Sequence, residues 1–189
     1  GGIVALRGVP ALTQQDYAAF NPNLSVGVLA KITLPTGNYS QSKAINLGSN
    51  RWAAQLGVPV VYYFGNSFLD PKLTVLEISP SVTIYSENSS AFGGGTISQK
   101  PLYQVEAHLS RNITRAMFLS LDGLWINGGK TSNNGVSNDD KQNSFSLGAS
   151  IGLNLSRSTS IKVSYGKVVN RNSNGADGDM VRIILSKSF

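Results

Sequence analysis

Cysteine is absent from this chain, and histidine occurs once, at His108. The first absence excludes a disulfide framework, a thiolate zinc site and a cysteine nucleophile, and the second excludes a histidine-rich metal centre within the chain. Charge is scarce as well: Asp, Glu, Lys and Arg make up 14% of the residues, against about a quarter in an average soluble domain. Long apolar runs are missing too. None approaches the roughly 20 residues that a membrane helix needs, so helical membrane proteins are excluded. A membrane β-barrel is not, because alternating strands average out in a hydropathy window. The length of 189 residues suits one domain.

The charge that exists does not cluster. Sixteen Lys+Arg against ten Asp+Glu give a net charge of +6, yet the basic residues stand singly from Arg7 to Lys187. Without a basic stripe or a recognition module, no nucleic-acid partner is expected. The opening Gly1-Gly2-Ile3-Val4-Ala5 has neither a charged n-region nor a long apolar h-region, and reads as a mature or truncated start rather than a signal peptide.

What the chain has in abundance is alternation. From Ser144 to Leu155, the residues Phe145, Leu147, Ala149, Ile151, Leu153 and Leu155 alternate without a break with Ser, Gly and Asn, which puts every apolar side chain on one face of a strand. Similar segments start near Leu24, Trp52, Leu76, Tyr103, Met117, Ile161 and Val181, and a weaker one covers Ile3 to Val9. The reading is nine strands, with a short helix around Gln14 to Phe20 in the segment 11–23. Connections alternate in length: 36–50, 86–101 and 128–143 are long, whereas 111–115 and 156–158 are short. An up-and-down meander with long loops at one end and short turns at the other is expected of an outer-membrane barrel.

A soluble ligand-binding barrel also alternates, with its apolar face turned inward. Three features favour the membrane. The patterned segments run ten to twelve residues, the length that crosses a bilayer at a tilt, where soluble strands average about five or six. Aromatics gather near segment ends, Trp52, Tyr103, Trp125 and Phe145 toward the long loops and Tyr62, Phe64 and Phe189 toward the short turns, as in the girdles of membrane barrels. The chain also ends on Phe189, a terminal aromatic of the kind read by the barrel assembly machinery, although Lys187 departs from the usual apolar residue two positions earlier. Bacterial single-chain barrels use even strand numbers. The expectation is therefore an all-β, antiparallel, up-and-down transmembrane barrel, with residues 1–189 a single domain that lacks its first strands and about twelve strands in the full-length protein.

Several stretches carry a resemblance: Gly8-Val9-Pro10-Ala11-Leu12, Asn46-Leu47-Gly48-Ser49-Asn50-Arg51-Trp52, Pro101-Leu102-Tyr103-Gln104, and above all Gly128-Gly129-Lys130-Thr131-Ser132-Asn133-Asn134-Gly135-Val136 followed by Asp139-Asp140-Lys141-Gln142-Asn143. In this order they resemble the bacterial outer-membrane transporter family of the meta-pathway of phenol degradation. The resemblance spans nearly the whole chain. It implies a barrel longer at its N-terminus than this chain, and uptake of aromatic or other hydrophobic compounds.

Candidate lumen-lining residues are the charged members of the polar face: Lys31, Glu77, Glu106, His108, Asp122, Lys162 and Arg182. They form either a constriction that orients a solute or a solvated wall whose salt links hold the barrel's shape. His108 beside Glu106, with Asp122 on the next strand, suggests a His-carboxylate pair, but no serine sits in a G-x-S-x-G context, and no enzyme is expected. The loop carboxylates Asp139, Asp140, Asp177 and Asp179 lack the spacing of a calcium loop, and Gly93-Gly94-Gly95 lacks that of a phosphate loop. The sequence thus predicts an outer-membrane channel for passive uptake of small hydrophobic or aromatic compounds, with no cofactor and no metal. Its partners are outer-membrane lipid and lipopolysaccharide, the solute, and the assembly machinery at Phe189. A structural or adhesive barrel that binds partners through its long loops is the alternative, and an outer-membrane hydrolase ranks lower.

Overall fold

Segments of alternating residues become strands where their amides find a neighbour, and here each finds the segment next to it in the chain. The computed structural model describes residues 1–189 apart from Pro22, Asn66, Phe189 and the side chain of Ala18. Its elements are β1 (Gly2–Arg7), α1 (Gln14–Ala19), β2 (Leu24–Thr33), β3 (Ala53–Gly57), β4 (Val60–Phe64), β5 (Thr74–Tyr85), β6 (Ile97–Gln99), β7 (Leu102–Asn112), β8 (Met117–Gly128), β9 (Thr131–Asn133), β10 (Val136–Ser137), β11 (Gln142–Asn154), β12 (Thr159–Arg171) and β13 (Asp179–Lys187). The main sheet runs β1-β2-β3-β5-β7-β8-β11-β12-β13, and β4 continues β3 between β2 and β5. All its pairs are antiparallel. With β3 and β4 taken as one length of chain, this is an up-and-down wall of nine strands. It is not closed on itself here: β1 and β13 are its edges. Among the described residues no helix is long and apolar enough to cross a membrane.

The sequence pattern reads Trp52 to Phe64 as one strand, and the structure divides it at Val58-Pro59. Register is kept across the gap, since Gly57 faces Ser81 and Val60 faces Ile78. What is lost is hydrogen bonding. Val58 donates to the carbonyl of Pro80 (3.0 Å) and Gly27 to that of Pro59 (2.9 Å), but a proline has no N–H to return the bond. Two prolines on adjacent strands therefore thin the ladder at one level.

Directly opposed residues of an antiparallel pair share a face. Leu109, Leu121, Ala149, Tyr165 and Val181 make one such row, in which Leu121 is 66% and Val181 68% exposed. The next row, Ser110, Ser120, Ser150, Ser164 and Arg182, faces the other way, with Ser120 and Ser150 buried. The buried apolar residues among those described are only Leu73 and Ala91. A water-soluble barrel would bury its apolar rows; here they are the exterior, and the small polar rows are the inside. Sequence periodicity alone leaves this sign open.

The long loops carry structure that alternation did not predict. Strands β6, β9 and β10 form a second, three-stranded sheet beyond the ends of β7 and β8. Its hairpin turns on Asn134-Gly135, with φ of 49° and 80°, the pair of left-handed residues that a two-residue turn of the hairpin-favoring type requires.

Placing a charge on the apolar exterior distinguishes the two solvents. In lipid vesicles Leu121→Arg is expected to lower the unfolding free energy by about 2–4 kcal/mol, the cost of arginine near a bilayer midplane. Ser110→Arg, on the opposite face, should lower it far less. Guanidinium titrations followed by tryptophan fluorescence measure both.

Candidate functional site

The polar face carries its chemistry at mid-strand. Register aligns Glu77 on β5, His108 on β7, Asp122 on β8, Gly148 on β11 and Gly166 on β12. Alternation therefore turns Asp122 and His108 to the same side, and their separation is set by strand spacing. Asp122 is the hub. Its Oδ1 accepts from His108 Nδ1 (2.7 Å) and Ser120 Oγ (2.7 Å), and its Oδ2 from Ser150 Oγ (2.7 Å). Ser150 Oγ is also 2.8 Å from Ser164 Oγ, so with one proton committed to Asp122 it accepts the next from Ser164.

Because Asp122 fixes the proton on Nδ1, the free ring nitrogen Nε2 of His108 faces the open groove, 4.0 Å from Glu106 Oε2. A serine hydrolase places its nucleophile on that second nitrogen. Here the hydroxyls of Ser120 and Ser150 are bonded to the carboxylate instead. As built, the cluster orients an imidazole and satisfies a half-buried carboxylate, which suits a shaped polar wall.

Glu106, His108, Asp122, Lys162 and Arg182 border one groove of about 410 Å³, with Leu124, Val168 and Met180 supplying apolar surface and Asp177 and Asp179 at its rim. A groove bordered by five consecutive strands requires the sheet to curve toward this face. Its floor is low because Gly148 and Gly166 lack side chains; a Cβ at Gly148 would stand 2.6 Å from the Tyr165 carbonyl oxygen. Glu106, His108 and Asp122 border the groove from β7 and β8 and Lys162 and Arg182 from β12 and β13, with Lys162 about 13 Å along the strands from the level of Asp122 and the acid Asp179 also on β13. Glu77 shares the face beside His108 but does not border the groove. Lys31 is aligned with Gln55 and Thr83, about 20 Å along the strand direction from Glu77, near the long loops. Periodicity gave no sign of the glycine floor. The only trace is that the polar face of β11 holds nothing larger than serine from Ser144 to Gly152.

The aromatic residues Trp52, Tyr62, Phe64, Tyr103, Trp125 and Phe145 are exposed, and Phe189 lies outside the described residues. Tyr62 and Phe64 meet edge to face at 4.7 Å, and Trp125 Nε1 donates to Asn143 Oδ1 (3.3 Å). Over the long-loop end, polar side chains tie loops together. Asn88, buried, donates to Tyr39 Oη (3.0 Å) and accepts from Asn50 (2.9 Å), Tyr39 donates to the Ser90 carbonyl (2.8 Å), and Arg51 donates to Gln99 (2.5 Å). Thr131 donates its hydroxyl (2.6 Å) and its amide (2.8 Å) to Asp140. These bonds hold the Asp140 carboxyl below the usual carboxylate range. Arg171 does the same for Asp177 through a 2.7 Å bond in the last loop.

The residues from Gly128 to Asn143 thus supply two strands of the second sheet and its fastening. The family described as "Putative MetA-pathway of phenol degradation" matches this chain over residues 9–183. The chain belongs to that family. Among curated proteins none matches it. One solved structure that this family member resembles is the COG4313 outer membrane channel from Pseudomonas putida F1, with a TM-score of 0.66 at 19% identity, over 86% of this chain and 57% of that one. At that identity the likeness is one of fold, and the family member spans little more than half of its neighbour's length.

Two changes test the site. Asp122→Ala strips the acceptor from three donors and is expected to cost about 1–3 kcal/mol of stability, the range for half-buried groups left unsatisfied, with Asp122→Asn costing less. For Asp140, a folded pKa below the usual 3.8 means that the Thr131 bonds stabilise the loop above that value and are lost as pH falls through the folded pKa. Thr131→Val should raise the Asp140 pKa toward 3.8, read by carboxyl NMR titration.

Proposed function

We propose that this chain forms part of the wall of an outer-membrane channel through which small hydrophobic or aromatic molecules pass passively, with no cofactor and no chemical step. The observation that carries this reading is the inverted burial: exposed large apolar residues cover one face of a nine-strand antiparallel wall, and the other face is mostly serines, glycines and charges with fewer apolar residues among them. Lipid tails satisfy the first face, and water or a solute the second. Lipid leaves no unpaired strand edge unpunished, so in this reading the edges of β1 and β13 are paired in the whole protein. The exposed aromatics Trp52, Tyr62, Phe64, Tyr103, Trp125 and Phe145 sit at the two headgroup levels, the long loops meet lipopolysaccharide, and Phe189 is what the assembly machinery grips.

The lining of the groove supports this solute class. Leu124, Val168 and Met180 lie among Glu106, His108, Asp122, Lys162 and Arg182, a lining suited to a molecule with an apolar body and one or two polar groups. Family membership supports the same class, since phenol is such a molecule.

The whole protein in liposomes should pass phenol faster than empty vesicles do, and should show no esterase turnover. A folded barrel that adds no flux would instead favour a structural barrel working through its loops. Lys162→Glu combined with Arg182→Glu reverses two of the groove's basic residues and should shift ion selectivity toward cations, measured as the reversal potential in planar bilayers.

A further inference from the structure

Two connections at the short-turn end meet through aromatic rings. Phe68, in the turn between β4 and β5, stacks on Tyr17 of α1 (centroids 5.0 Å apart, planes at 16°) and on Phe20 just past it (5.6 Å, 30°), and Tyr63 of β4 stands edge-on to it (5.4 Å, 85°). Tyr63 opposes Val75, and Val75 opposes Ser110. It therefore shares the polar face, while its neighbours Tyr62 and Phe64 point outward. The four rings stand at the inner edge of the wall, at the end of the polar face remote from the long loops.

The segment that brings two of these rings is weakly built. α1 has six residues, well short of the length at which a helix holds itself together in water. Its cap is internal, with Thr13 Oγ1 accepting from the Asp16 amide (3.2 Å) and donating to Asp16 Oδ2 (2.7 Å). Gln14, Gln15, Asp16 and Ala19 are exposed. The helix thus docks on the wall by its rings, at spacings typical of offset-stacked pairs.

We propose that Tyr17, Phe20, Tyr63 and Phe68 form a station for aromatic solutes at the short-turn mouth, where a flat ring takes the place on Phe68 that Tyr17 or Phe20 otherwise fills. This rests on the channel reading above. The exchange replaces one aromatic pair by another of like geometry, so a solute ring competes with the α1 rings for Phe68. A saturated ring of the same size has no π-face to offer and does not. The α1 rings are thereby competitors of the solute, and the station is selective for aromaticity rather than for size.

The test uses the whole protein folded in detergent with 4-fluorophenylalanine at position 68, and two probes of similar size, phenol and cyclohexanol. Phenol should shift the fluorine resonance saturably and cyclohexanol should not. Tyr17→Ala, which removes a competitor, should tighten phenol binding several-fold, a gain that a merely structural role of Tyr17 would not produce. No saturable shift with phenol, equal shifts with both probes, or unchanged or weaker phenol binding in Tyr17→Ala would overturn the proposal. In liposomes, Phe68→Leu should lower the ratio of phenol flux to cyclohexanol flux several-fold, and an unchanged ratio would also overturn it. If the unaltered protein passes neither probe while the fluorine shift saturates with phenol alone, the station stands and the channel reading fails.

Discussion

The whole structure depends on one requirement of the backbone: every amide in a wall between lipid and lumen must find its partner on the neighbouring strand. Antiparallel neighbours joined by their own turns meet it at every step from β1 to β13. Because the backbone ladder runs the length of the wall, most side chains are left to serve two different solvents by parity, and the Asp122 cluster adds side-chain links between strands on the polar face. It also explains why strands as long as Gln142–Asn154 and Thr159–Arg171 stay in register along most of their length. Pro59 and Pro80 mark the place where the requirement is relaxed, two returning bonds missing at one level.

Given such a ladder, the polar face is shaped by what small residues leave empty. Gly148 and Gly166 lower the floor beside Asp122, and the serines of the adjacent row are short enough to reach the carboxylate without filling the groove. Acidic and basic side chains border the groove at different levels, and the His108-Asp122 bond holds one of them in a fixed pose. The ends of the wall are finished by different means. Hydrogen-bonded asparagines, Tyr39, Arg51 and the small sheet of β6, β9 and β10 fasten the long loops, and stacked rings fasten the segment that carries α1.

Much of this fold is legible in the chain because strand periodicity is a short-range property. The run from Ser144 to Leu155 names its own face, and the same parity argument puts Lys31, Glu77, Glu106, His108, Asp122, Lys162 and Arg182 together on another. The short helix near Gln14 is legible for a similar reason, Thr13 being a good cap followed three residues on by Asp16. Less legible were the loops. Asn134-Gly135 is a strong hairpin signal, but its strands have three and two residues and show no period to detect.

The sequence by itself determined the strand segments of the main wall and the parity of their residues, because these follow from which side chains alternate along a single length of chain. Only the tertiary structure decided that Ser120 and Ser150 join His108 on Asp122, that Lys31 stands far from the groove, and that Phe68 joins two connections distant in sequence. Each of these depends on curvature or on register between strands, and both are set by partners that a single strand does not contain.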